Sequence, residues 1–320
     1  MKRLYHLTLC LVCVNIHLVF AQQNTEEETS FSLYGFGRTT MIWDNRNLGR
    51  TDLFVPANIA INTPNNPEFF IGAKQTRIGF DVKHTLKGEA LSIKVEGDFH
   101  NDASDATGIF RMRHAYANYK FVMVGMTWSN FFDEEVNPVT VDFEGPNSST
   151  LSRTPQIRFS TYKSKNILSL SLENPLENVG VTGNISVLPE RFPDIIGAYR
   201  INGSFGFVKV AALFRELRYQ SDKARSLPGY GITLMTSVKA GEKDKVKFQF
   251  VTGTGVSRYI QGASGLNYDA ISNGTNELEA LQMHGSTISF QHFWKDHVHS
   301  SLTAGWLSVT DNDKPWGHQL

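Results

Sequence analysis

At 320 residues, with 31 Lys+Arg against 31 Asp+Glu and 41% hydrophobic content, the chain is long enough for two soluble domains or for one large β structure. After its N-terminus no window offers the ~18 uncharged apolar residues of a membrane-crossing helix, which excludes a helical membrane protein. The balanced charge argues against a nucleic-acid partner, and the 26 Gly and 22 Phe suit a single large β domain.

Residues 1–21 read as a secretory signal: Lys2 and Arg3 form a basic start, 4–20 is mostly apolar, and Val19-Phe20-Ala21 is a small-residue cleavage site. Its removal takes 31 basic residues to 29 against 31 acidic ones, a net charge of −2. Both cysteines, Cys10 and Cys13, fall inside it, so their spacing carries no redox meaning. An exported chain without disulfides relies on its hydrogen-bond ladder and on burial. A short polar lead, 22–29, follows.

Period-2 alternation then predicts thirteen strands, over 30–43, 71–83, 91–99, 110–120, 121–129, 156–162, 167–173, 194–203, 207–219, 229–240, 246–253, 277–294 and 297–310. In the second, Arg77, Gly79, Asp81 and Lys83 alternate with Ile78, Phe80 and Val82, giving one charged and one apolar face. Long connections (44–70, 129–153, 174–192, 254–276) alternate with short ones, as in outer-membrane barrels, whereas a soluble sandwich has no reason to segregate loops by end. Aromatics gather at strand ends, with Phe110 at one end of the fourth strand and Tyr116, Tyr119 and Phe121 at the other, so that about nine residues project to roughly the ~25 Å apolar band. The expected fold is an all-β, transmembrane, antiparallel up-and-down β-barrel spanning 30–320. Thirteen is odd for a single-chain barrel, so about three further strands are expected beyond Leu320, making sixteen; the alternative is a strand split or missed.

The stretch 110–158 carries the candidate site. Arg111 and Arg113 share one strand face with Met112 on the other, which requires that face to be wet. Arg77, Lys94 and Arg158 have the same polar parity, and together the five read as a positive ladder that attracts anions, since a guanidinium stays charged and forks onto carboxylates. The alternative is a neutral network in which they pair with Asp81, Glu96 and Asp98. The loop 130–154 carries Asp133, Glu134, Glu135, Asp142 and Glu144, while Phe131, Phe132 and Phe143 favour its folding inward to narrow a pore. His114 has lipid-face parity, which a subunit interface would explain.

Other constellations fall short. His292, His297 and His299 lack the carboxylates or cysteines of a metal site. Gly253-Thr254-Gly255 lacks the helix of a phosphate loop, and no Gly-x-Ser-x-Gly elbow is present. The sequons at Asn147, Asn184, Asn202 and Asn273 signify nothing in a bacterial chain. No cofactor is expected.

Thr76-Arg77-Ile78-Gly79-Phe80, Glu96-Gly97-Asp98-Phe99, Arg111-Met112-Arg113-His114-Ala115-Tyr116, Val124-Gly125-Met126-Thr127-Trp128-Ser129, Arg153-Thr154-Pro155-Gln156-Ile157-Arg158 and Leu172-Glu173-Asn174-Pro175 resemble, in order, the DcaP-like porins of Gram-negative bacteria. The resemblance covers about 30–310. It implies a sixteen-stranded homotrimer in outer-membrane lipid, without enzymatic activity, that admits small anionic solutes such as dicarboxylates. Some members carry a helical N-terminal extension; the short lead here leaves no space for one. Two other classes stay open: an outer-membrane barrel lipase or protease, needing a Ser/His/acid set at the rim, and a secreted β-sandwich that binds a ligand.

Overall fold

Alternation becomes a single antiparallel meander. The computed structural model of the chain describes residues 29–45, 66–100 and 108–310, with 142, 164, 177, 274 and 275 excepted. The expected leader, nearly all of the polar lead, Asp142 and the tail 311–320 lie outside the described residues.

In chain order the strands are β1 (Thr29–Phe36), β2 (Thr40–Asp44), β3 (Glu68–Gly72), β4 (Arg77–Leu86), β5 (Glu89–Asp98), β6 (Arg111–Tyr119) and β7 (Val122–Trp128). Next come β8 (Arg153–Lys163), β9 (Asn166–Glu173), β10 (Val179–Gly180), β11 (Ser186–Leu188), β12 (Asp194–Gly203) and β13 (Gly206–Gln220). The chain continues with β14 (Ala224–Lys239), β15 (Lys245–Thr254), β16 (Ala270–Ser272), β17 (Leu278–Ala280), β18 (Gln282–Lys295) and β19 (Val298–Thr310). The wall runs β1-β4-β5-β6-β7-β8-β9-β12-β13-β14-β15-β18-β19, thirteen strands as expected, with β11 added beside β13. β2 and β3 form a separate hairpin, and β10, β16 and β17 a small sheet at the long-loop end. Among the described residues, β1 and β19 share no ladder.

The wall is inside out. Its exposed face carries Leu33, Val124, Leu168, Phe214, Ile232 and Leu302, all large apolar side chains, while the opposite face buries Glu96, Asp98, Glu173, Asp194, Lys209 and Arg215. A water-soluble sheet has no use for that arrangement; a lipid-facing one does. Loops segregate by length. Among the described residues, one end closes with tight turns at Lys87-Gly88, Lys120-Phe121, 204–205, 240–244 and 296–297, and the other carries the long connections that follow β7, β9 and β15, with the brief 221–223 turn as an exception. At the first turn Lys87 and Gly88 both take positive φ (52° and 78°), which a two-residue hairpin requires.

Several boundaries differ from expectation, among them the start of the strand expected from Ile71, since Ile71 and Gly72 end β3 and β4 starts at Arg77. The strand expected over 30–43 is two elements, because the chain leaves the wall after Phe36 and Thr40–Asp44 pairs with Glu68–Gly72 instead. The strand expected from Gly229 starts at Ala224: Pro228 sits within the β13–β14 ladder opposite Glu216. The segment expected over 277–294 splits into β17 and β18 at Leu281, whose amide donates to Asp269 O (3.1 Å).

Candidate functional site

The patch predicted around Arg111 assembles on the inner faces of β4, β5, β6 and β8. Asp98 is fully buried and accepts from Arg111 Nε and Nη2 (both 2.9 Å) and from Arg113 Nη1 (3.0 Å). Glu96 accepts from Arg113 Nε (2.9 Å), lies 3.4 Å from Arg77 Nη1 and takes the Tyr34 hydroxyl (2.9 Å). Lys94 pairs with Asp81 at 3.3 Å and lies over the Tyr34 ring. The pairing held open as the alternative is therefore present, but its charges do not cancel. Arg153 lies within electrostatic range of Arg77, Arg111, Arg113 and Asp98 while stacked 4.3 Å above Trp128. Four guanidiniums thus share the patch with two carboxylates.

A β-bulge shapes the patch. β5 and β6 pair Glu96 with His114 and Gly97 with Met112, leaving Arg113 as the extra residue. The bulge turns His114 inward together with Arg113, correcting the lipid-facing position expected for His114. Its Nδ1 lies 3.0 Å from Thr127 Oγ1, its Nε2 lies 3.9 Å from Glu96, and its ring meets Trp128 edge-on. From there on Tyr116 also faces inward, so Phe121 rather than Tyr116 marks that end of the wall, exposed at 57%.

The acidic segment 129–152 packs against β12, β13, β14 and β18. Phe131 is fully buried against Tyr259, and Phe132 clusters with Val136, Phe207 and Met235. Glu134–Val136 make one turn of 3-10 helix capped by Asp133, whose carboxylate accepts from Glu135 N (3.2 Å). Asp133 pairs with Arg200 Nη1 at 2.9 Å and lies 3.8 Å from Lys209; Glu135 pairs with Arg200 Nη2 at 2.5 Å. Glu134 is exposed and within electrostatic range of Arg77. Glu144 is half-buried. Arg158 donates to Gln156 Oε1 (3.0 Å) and to Trp128 O and stands near Glu173.

The structure thus brings Arg77, Arg111 and Arg113 together, sets Lys94 one pair further along β5, and sets Arg158 near Glu173 and Lys209. Arg153, Arg200 and Lys209 are site residues that sequence reasoning passed over. One signal existed: Lys209 is the lone charge in the apolar run from Phe207 to Phe214, at the parity of Phe207.

Among curated protein sequences none matches this chain. Among solved structures, the outer membrane channel DcaP of Acinetobacter baumannii superimposes with a TM-score of 0.75 at 21% identity, covering 89% of this chain and 80% of that one. OmpT of Vibrio cholerae, in its trimer form, reaches a TM-score of 0.44 at 12% identity, covering 88% and 89%. The DcaP outer membrane protein family matches over residues 24–315. The chain belongs to that family, and its place is the outer membrane of a Gram-negative bacterium.

Proposed function

We propose that the chain is a porin through which small hydrophilic anions of the dicarboxylate class diffuse passively, narrowed by the segment 130–152. The observation that carries this reading is the uneven charge of the inner patch. Arg77, Arg111, Arg113 and Arg153 stand against Glu96 and Asp98, an excess of two positive charges, with Arg77 and Arg111 the guanidiniums that keep contact with water. Glu134, exposed on the inward segment, supplies the opposite sign and so a field across the passage. Selectivity in such a passage comes from width and lining charge, with no bond made to the solute.

A trimer is supported by the height of the wall. At ~3.3 Å per residue and ~40° tilt, the 7 residues of β7 project to only about 18 Å, below the ~25 Å apolar band, while the 16 residues of β14 project to about 40 Å. A low wall beside a tall one is stable in lipid when neighbouring copies cover it.

Reversal potentials across a planar bilayer under a salt gradient test the proposal. Wild type is expected to favour anions. Two unit charges ~8 Å from a solute are worth about 1 kcal/mol in water, so Arg111→Ser with Arg113→Ser is expected to lower the anion preference about fivefold. An unchanged reversal potential in the double variant sinks the assignment of these arginines.

A further inference from the structure

The inner faces of β12, β15 and β18 are closed at residues where those of β4 to β6, beside the buried Glu96, Asp98 and Arg113, keep side chains open to solvent. Ile196, Val251 and Met283 are fully buried, whereas Arg77, Lys94 and Arg111 keep 22%, 28% and 38% of their side chains exposed. What covers the closed side includes a second stretch of chain, 256–271, which leaves β15 through the 3-10 turn Ser257–Tyr259.

This stretch is joined to the acidic segment main chain to main chain. Leu151 N donates to Tyr259 O (3.0 Å), Gln261 N to Ser149 O (2.9 Å) and Gly262 N to Asn147 O (2.8 Å). Contact is so close that a Cβ on Gly262 would stand 2.5 Å from that of Asn147. The wall provides matching space where its strands carry glycine inward: a Cβ at Gly305 would stand 2.6 Å from Ser148 Oγ, one at Gly285 2.9 Å from Ser148 O, and one at Gly231 3.0 Å from Val256.

A buried charge knot ties the stretch to the wall. Arg215 of β13 donates to Asp269 (2.7 Å), and Asp194 of β12 accepts from Arg258 (3.0 Å) and from the Tyr259 hydroxyl (2.7 Å). Two cations meet two anions, so burial is tolerated; deleting one member leaves an uncompensated charge, which is strongly destabilising.

We propose that 256–271 is a second inward segment, backing the first, which fills the lumen under β12 to β19 and confines permeation to the side lined by Arg77, Arg111 and Arg113. Arg258 and Asp194 are its positioning residues. The inference rests on the channel reading above. Because conductance follows the open cross-section, Arg258→Ala is expected to raise single-channel conductance about twofold and to lower the anion preference. Arg258→Lys, which keeps the charge, is expected to hold both near wild type. Heat-modifiable gel mobility reports whether each variant still forms a barrel.

A cysteine pair at Ser149 and Gln261 provides the second arm. Oxidised in the otherwise unaltered protein, it is expected to leave conductance unchanged; in the Arg258→Ala background it is expected to restore the wild-type value. Should the Ala variant form no barrel, the oxidised pair decides alone. Wild-type conductance and selectivity in folded Arg258→Ala overturn the proposal, as does a conductance change on oxidising the pair in the unaltered protein. Absence of any conductance in wild type removes the channel reading itself, and this inference with it.

Discussion

The guanidiniums of the inner patch are not all held in the same way, which decides what the loss of each costs. Asp98 orients Arg111 and Arg113 through three charge-assisted bonds, so neutralising Asp98 would leave two cations crowded without it. Arg153 lies over the Trp128 ring and shares the patch with three other arginines. Arg153→Gln removes one unit of charge while keeping a planar polar group there. At ~8 Å that charge is worth about 0.5 kcal/mol in water, so the anion preference read from reversal potentials is expected to fall about twofold. No change would show that Arg153 orders the loop end without acting on the solute.

At the scale of elements, the strands past β12 carry the clearest two-faced pattern. In β14, Ile232 is 47% exposed and pairs with Ala212 and Thr252, while the next residue, Thr233, is fully buried and donates to Phe250 O (2.9 Å). Ile232→Lys, near mid-wall, is expected to destabilise the barrel by ~2–4 kcal/mol, and Thr236→Lys, nearer the short-turn end, by ~0–1 kcal/mol. Urea titrations of the protein folded into lipid vesicles measure both. Equal costs would remove the membrane-facing assignment of that face. The bulge at Arg113 acts at the same scale: one extra residue re-aims every later side chain of β6, so His114 and Tyr116 join the inner patch.

For the whole molecule, wall height and loop packing point the same way. The low strands β6 and β7 stand beside the arginine patch, while the tall β13 and β14 back the closed side of the lumen. If neighbouring copies cover the low wall, detergent-solubilised protein is expected at three chains per particle by light scattering, and Val124→Arg, on its exposed face, is expected to shift the particles towards one chain. A single chain in wild type would overturn the trimer.

The thirteen strands, the inside-out pattern, the two classes of loop and the nearness of Arg77, Arg111 and Arg113 were legible from the sequence, because the period of a strand and the register of a hairpin are local properties. A residue two positions on shares a face whatever lies across the barrel. The sequence also held both readings of the arginines, as free ladder or paired network, without choosing between them. Only the tertiary structure showed that they are paired yet outnumber their partners, since Arg153 arrives at the patch from the far end of the acidic loop. It alone placed Asp133 and Glu135 on Arg200, 67 and 65 residues away, and joined 129–152 to 256–271 over a buried knot. Those contacts link residues separated by whole strands, so they depend on how the sheet curves and which loops turn inward, and neither is set by the alternation of neighbouring side chains.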